Sequence, residues 1–233
     1  MTQQASIGSV NQDGFPGWWR VYLGHRYAVL FYSLIMTIVV APILKTIGMH
    51  GNVMQVFLGL NLLASSVPLN SKKGRWVLPA IILVAIVLRI VSLQAGHAGF
   101  STLSLLLWTA IGLYAVFMAL RFALRSSIIT PEHLYAALSA YLLAGVFMGV
   151  LYWSLDQVWP NSIIVNGPGA SDPFLIGEGV YFSFITLATV GYGDMVPGNG
   201  VVRNLAIVEA IAGQFYLAVM IARLMSLYMR EAR

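Results

Sequence analysis

The stretch TLATVGYGDM, residues 186–195, lies between two apolar segments of a chain that is hydrophobic over most of its length. Two glycines flank a tyrosine, and an aspartate follows them. Glycine makes a backbone conformationally permissive and leaves it uncovered by side chains. Such a stretch is unexpected between two potential membrane-spanning helices. Its role has to be inferred from the rest of the sequence.

The composition predicts a protein embedded in lipid. Hydrophobic residues make up 59% of the 233 residues, charged residues 9%, and the mean hydropathy is +0.81. A soluble domain has about 25% charged residues. The net charge of +5 does not indicate a nucleic-acid partner, because the 13 basic residues are scattered and form no patch. The absence of cysteine excludes disulfides and cysteine-based metal sites.

Six segments are apolar enough to form membrane-spanning helices, each of which needs about 20 residues. They cover residues 27–44, 53–69, 76–93, 102–120, 134–155 and 201–225. The second contains polar residues, among them Gln55 and Asn61, and is expected to turn them towards other helices. The sequence therefore predicts an all-α membrane protein with six transmembrane helices.

The basic residues predict the orientation of these helices. With six spans and a cytoplasmic N-terminus, Lys45, Arg89 and Arg203 lie outside, and the other ten of the 13 basic residues lie inside. Cytoplasmic loops carry such an excess of lysine and arginine. We expect a multi-pass protein of the cell (inner) membrane with both termini in the cytoplasm.

The connection between the last two spans has two parts. DQVWPNSIIVNGPGASDP, residues 156–173, is rich in turn residues, and GEGVYFSFITLAT, residues 177–189, is apolar but too short to cross. The second part predicts a re-entrant helix. Irregular backbone at membrane depth occurs only where it is buried in protein or lines a water-filled cavity, so the glycines after this helix are expected to line an aqueous path.

Residues 189–193, TVGYG, followed by Asp194, resemble the selectivity filter of tetrameric potassium channels, including bacterial ones. We call these five residues the filter segment. In that family, backbone carbonyls replace the hydration shell of the ion. Gly191 and Gly193 suit this role because they adopt positive φ at no steric cost. The resemblance implies that potassium is bound by the carbonyls of Thr189, Val190, Gly191 and Tyr192, with Gly193 completing the outer mouth.

The resemblance is specific over residues 134–226 and before that rests on the number of spans. It implies a cytoplasmic segment over 1–26, a four-helix membrane domain over 27–120, a linker over 121–133, a pore domain over 134–226 and a cytoplasmic tail over 227–233. One filter segment per chain implies a homotetramer around a central pore. Potassium would be the permeant ligand, with membrane lipids as surroundings and no cofactor.

Two neighbours of the filter segment depart from the pattern of the family. Tyr181 stands where many relatives have a tryptophan that hydrogen-bonds the aspartate after the filter, and its hydroxyl is a candidate partner for Asp194. Ile185 stands where some bacterial relatives have a glutamate, so one carboxyl partner of Asp194 is missing. The resemblance implies that Asp194 braces the outer mouth.

The last span contains the other candidate residues. Gly213 lies at the position of a gating hinge in the family, but a small residue for close helix packing explains it equally. Helical spacing from Gly213 predicts that Gln214, Leu217 and Ile221 face the cavity. Glu209 is an acid inside the membrane, where an ionisable side chain indicates function. It is expected to bond to the re-entrant helix through Ser183 or Thr186 or to sense protons, and a structurally paired acid is the simpler interpretation.

The fourth span lacks the repeated arginines of a voltage sensor. Arg121 and Arg125 lie at its cytoplasmic end and are interpreted as topology anchors or lipid contacts. Voltage gating of the usual kind is therefore not expected. If a ligand gates the channel instead, we expect its site to lie in the membrane domain or on a separate partner.

A channel explains the sequence better than a receptor, an enzyme or a secondary transporter does. The first four spans are compatible with a lipid- or ligand-sensing receptor whose output is a less selective cation pore, and a polar cluster around Gln55 and Asn61 would be its mark. A nucleophile with a base, paired carboxylates or a metal cluster would indicate an enzyme, and the sequence shows none. A secondary transporter would show symmetric repeats, and we find none.

Overall fold

The computed structural model describes residues 25–46, 57–59, 61, 84, 87, 98–125, 130–167 and 173–231. Within these residues the chain forms five helices of known extent and one two-stranded sheet. In chain order the elements are α1 (Arg26–Thr46), α2 (Ala98–Arg125), α3 (Pro131–Val158), β1 (Ile163–Val165), α4 (Ile176–Leu187), β2 (Met195–Pro197) and α5 (Gly200–Glu231).

Four of the six predicted spans fall on these helices. α1, α2, α3 and α5 confirm helical structure over residues 27–44, 102–120, 134–155 and 201–225. Three helices of the described part are long and apolar enough to cross a membrane, and the apolar stretch of α1 is shorter. The predicted spans over 53–69 and 76–93 lie almost entirely outside the described residues, and those described among them, 57–59, 61, 84 and 87, are helical.

The helices α2 and α3 begin and end for local reasons. α2 continues through Arg121 to Arg125, five residues beyond the predicted span, because the sequence RFALR contains no glycine or proline to stop it. α3 begins with Pro131 at its first turn, where proline is favoured, and with Thr130 at its N-cap. The Thr130 backbone amide donates a hydrogen bond to Nδ1 of His133, 3.2 Å away.

α3 lies at the centre of the described chain, in contact with α1, α2, α4 and α5. Its buried side chains, such as Leu143 and Phe147, form one apolar core with Leu30, Leu34 and Trp108. Asn61 is buried beside α1, where it accepts a hydrogen bond from the Ser33 hydroxyl at 2.7 Å and donates one to the Thr37 hydroxyl at 2.6 Å. The polar side chain of the second predicted span thus faces another helix, as expected.

The connection between α3 and α5 contains a sheet that the sequence did not predict. β1 pairs antiparallel with β2, and Val165 lies opposite Met195. Strands of three residues in a stretch full of turn residues leave no detectable alternation. The pairing adds a small β-ribbon to the predicted all-α fold and places the end of β1 beside the residues that follow the filter segment.

Candidate functional site

The short helix α4 has the length and position of the predicted re-entrant helix. It contains 12 residues, and its N-terminus is capped by the Glu178 carboxylate, which accepts a hydrogen bond from the Leu175 amide at 2.6 Å. One face of α4, including Val180, Phe182 and Ser183, is buried. The helix ends at Leu187, and only Ala188 separates it from the filter segment.

The backbone of the filter segment alternates in handedness. The dihedral φ is positive at Thr189, Gly191 and Gly193, with values of 55°, 55° and 81°. Positive φ at the two glycines was predicted, but positive φ at Thr189 was not, because residues other than glycine rarely adopt it. A backbone that alternates in this way turns successive carbonyl groups towards the same side.

The amides at the start of the filter segment bond back to α4. The Thr189 amide donates to the Thr186 carbonyl at 2.9 Å, and the amides of Val190 and Gly191 donate to the Ile185 carbonyl at 2.8 and 3.2 Å. Ile185, whose side chain cannot bond Asp194, therefore holds the filter segment through its backbone. Among the described residues, no hydrogen bond ends on the carbonyls of residues 189–192, so these oxygens remain available to a ligand.

The outer end of the filter segment is held by side chains. The Tyr181 hydroxyl donates to Oδ2 of Asp194 at 2.8 Å, which confirms the predicted hydrogen bond. This bond is the main reason why the pKa of the Tyr181 phenol is raised. Asn166 was not predicted to contribute: its side-chain amide donates to the Gly193 carbonyl at 3.3 Å, and its backbone amide donates to the Asp194 carbonyl at 2.7 Å.

The inner end of the filter segment faces α5. The Gln214 side-chain amide donates to the Thr189 hydroxyl at 3.3 Å. A Cβ added to Gly213 would lie 2.3 Å from the Leu187 carbonyl oxygen, so this glycine is in close contact with the end of α4. Of the interpretations of Gly213, this contact favours close helix packing. Leu217 and Ile221 are exposed in the single chain.

Glu209 is 3% exposed and lies behind α4. Its two carboxylate oxygens accept hydrogen bonds from the Ser183 hydroxyl of α4, at 2.5 Å, and from the Tyr152 hydroxyl of α3, at 2.7 Å. Of the two predicted partners, Ser183 is the one observed, and the Thr186 hydroxyl instead donates to the Phe182 carbonyl of its own helix. Tyr152 was not predicted as a partner of Glu209. The sequence pattern of a helix does not show which of its residues will face a particular neighbouring helix.

Comparisons with known proteins agree with this arrangement. A family model described as an ion channel matches residues 135–230, which cover nearly all of α3, the filter segment and α5. Protein LctB of Bacillus caldotenax is 32% identical over 95 residues, which represent 40% of this chain and 69% of that protein. No solved structure matches the chain.

Proposed function

Because this chain belongs to the ion channel family, we propose that it is a potassium channel in which ions pass passively through the carbonyl oxygens of the filter segment. Membership of the family indicates a membrane protein that conducts ions rather than an enzyme. Selectivity for potassium, four-chain assembly and the roles of single residues belong to the proposal.

The observation that carries the proposal is the alternating backbone of the filter segment. Positive φ at every second residue turns the carbonyls of residues 189–192 to one side, and their oxygens accept no hydrogen bond within the described chain. A row of neutral oxygens replaces water around a cation without trapping it as a carboxylate would. We assign ion binding to the carbonyls of residues 189–192, with Gly193 at the outer mouth and Tyr192 favouring potassium.

Exposure of the filter segment supports a homotetramer. In the single chain Tyr192 is 72% exposed and Val190 49%. Irregular backbone in contact with lipid is not tolerated, so other copies of the chain have to cover one side of the segment while the other side faces ions and water. Only 17% of the apolar stretch Gly200–Arg223 of α5 is buried in the single chain. Phe215 and other large side chains are therefore available for packing between subunits.

The remaining residues take positions around this pore. We assign Gln214, Leu217 and Ile221 to the wall of the inner cavity, next to the C-terminal, negative end of the α4 dipole, which favours a cation there. Asp194, held by Tyr181, braces the outer mouth. The chain would lie in the cell membrane with both termini in the cytoplasm, and the lack of repeated arginines in α2 argues against strong voltage gating.

The receptor alternative has less support. Its expected mark was a polar cluster between the peripheral helices, and Gln55 lies outside the described residues. Asn61 is described, and its amide is used by hydrogen bonds to Ser33, Thr37 and Phe57. Asn61 thus forms a polar cluster with Ser33 and Thr37, but its amide is occupied by these bonds, which account for it as a packing residue between helices.

The test of the proposal is the reversal potential of the purified protein in planar bilayers, with potassium on one side and sodium on the other. We expect a value near the potassium equilibrium potential. Gly191→Ala is expected to abolish selective conduction while the chain still assembles, because alanine at φ 55° is strained by about 1–2 kcal/mol in each subunit.

A matched control is Gly177→Ala in α4, where an added Cβ meets nothing within 4 Å. This control is expected to conduct like the unmodified protein. Ordinary potassium-selective currents from Gly191→Ala would contradict the assignment of the filter, and a wild-type reversal potential near zero would contradict potassium selectivity.

A further inference from the structure

The carboxylate of Glu209 joins three helices behind the filter segment. Glu209 belongs to α5, Ser183 to α4 and Tyr152 to α3, and Ser183 and Tyr152 are fully buried. We call these three residues the buried triad. A carboxylate at this depth is costly unless its oxygens are bonded, and here each oxygen accepts one hydroxyl.

The hydrogen bond from Ser183 is not the one that a serine in a helix makes by default. Serine and threonine hydroxyls in helices commonly bond the carbonyl four residues earlier. Thr186 does so with Phe182, and the buried Ser154 does so with Val150. The Ser183 hydroxyl instead crosses to α5, so Glu209 determines where it points.

The triad is linked to the filter segment by short connections. Ser183 precedes Ile185 by two residues, and the Ile185 carbonyl holds the amides of Val190 and Gly191. One helical turn beyond Glu209, Gly213 contacts the carbonyl of Leu187. A displacement of α4 relative to α5 would therefore move the Ile185 carbonyl and the filter amides bonded to it.

We propose that Glu209 is a positioning residue of the filter segment, which it holds in the conducting conformation by accepting the hydroxyls of Ser183 and Tyr152. This inference rests on the proposed function for its effect on selectivity. The role requires both side-chain oxygens of Glu209 to accept a hydrogen bond. Glutamine has the same size but only one such oxygen, so Glu209→Gln should not fulfil the role.

The experiment compares Glu209→Gln, Ser183→Ala and Tyr152→Phe with two matched controls. Ser154→Ala removes a buried hydroxyl that bonds within its own helix. Tyr216→Phe removes a tyrosine hydroxyl that joins α5 to the Ala137 carbonyl of α3. Each variant is reconstituted in lipid, and three quantities are measured: hydrogen exchange of residues 186–195, the potassium-to-sodium permeability ratio and the thermal unfolding midpoint.

We expect the triad variants to exchange residues 186–195 about fivefold faster, since loss of one hydrogen bond shifts a local equilibrium by roughly that factor. Their permeability ratio should fall, and Ser183→Ala should add little in the background of Glu209→Gln. The controls should lower the unfolding midpoint to a similar degree, but they should change neither the exchange of residues 186–195 nor the permeability ratio. Equal exchange in triad variants and controls would overturn the proposal and leave Glu209 as a structural acid.

The exchange measurement separates this inference from the proposed function. If the unmodified protein does not select potassium, the proposed function fails. Faster exchange confined to the triad variants would still support the positioning role, and unchanged exchange would still refute it.

Discussion

At the outer end of the filter segment, Asp194 takes part in hydrogen bonds through both its side chain and its backbone. Its carboxylate accepts from the Tyr181 hydroxyl at 2.8 Å and from the Met195 amide at 3.0 Å, and its carbonyl accepts from the Asn166 amide. Hydrogen bonds to a carboxylate are charge-assisted and are stronger than those between neutral groups. The position of Asp194 therefore depends on α4 and on the β-ribbon together.

The contribution of Tyr181 can be measured by Tyr181→Phe, which removes the hydroxyl and keeps the ring. Because one partly exposed hydrogen bond is lost, we expect current during sustained opening to decline about two- to fivefold faster. The control is Tyr114→Phe, at an exposed tyrosine of α2 remote from the filter segment. Equal rates of decline in Tyr181→Phe and the unmodified protein would exclude a bracing role for the hydroxyl.

At the scale of elements, α4 and α5 meet along a face that Glu209 and Gly213 share. The two residues are four apart, so they lie on the same side of α5. Glu209 bonds Ser183, and Gly213 lies against the backbone of Leu187. This contact leaves no room for a side chain on α5 at that point.

Gly213→Ala tests whether Gly213 serves packing or bending. Since the added Cβ would lie 2.3 Å from a backbone oxygen, we expect the free energy of unfolding to fall by about 1–3 kcal/mol. The measurement is thermal unfolding in lipid or detergent. Gly200→Ala is the control, at a glycine of α5 with nothing within 4 Å of an added Cβ. Unchanged stability together with altered gating would instead favour a hinge.

The elements differ in how far the sequence predicts them. The helices α3 and α5 are long apolar runs, and the predicted limits at 134–155 and 201–225 lie inside the observed helices. The short helix α4 was predicted from its apolar run and its length. The β-ribbon was missed because three-residue strands carry no periodic pattern, although their pairing brings Asn166 to the outer mouth.

The candidate site was predictable where chemistry is local and unpredictable where it depends on packing. Positive φ at Gly191 and Gly193 follows from the residue type, whereas positive φ at Thr189 accompanies the hydrogen bonds by which the amides of residues 189–191 bond back to α4. In the same way the bond from Glu209 to α4 was predicted, but its second partner, Tyr152, depends on how α3 packs against α5.

At the scale of the whole molecule, α3 connects α1 and α2 to α4 and α5. It contacts all four of these helices and shares one apolar core with α1, α2 and Val180 of α4. At its N-terminal end, the Glu132 carboxylate accepts a hydrogen bond from the Tyr27 amide of α1 at 3.0 Å. The C-terminal parts of α2 and α5 are also joined, because the Arg223 guanidinium of α5 donates a hydrogen bond to the Leu124 carbonyl of α2.

The assembly of the chain provides a prediction at this scale. Because the filter segment is exposed in one chain and one segment cannot surround an ion, we expect four copies in the purified protein. Native mass spectrometry should show a particle of four times the 25.4 kDa chain mass. A protein that remains monomeric or dimeric while conducting potassium would contradict this assembly.

In the proposed channel, the β-ribbon links the loop after α3 to the outer end of the filter segment. Asn166, which follows β1, donates hydrogen bonds to the carbonyls of Gly193 and Asp194, so a displacement of β1 would be expected to move the last carbonyl of the filter segment. In the proposed channel, an antibody fragment bound to this loop is therefore expected to alter ion conduction without entering the path of the ions.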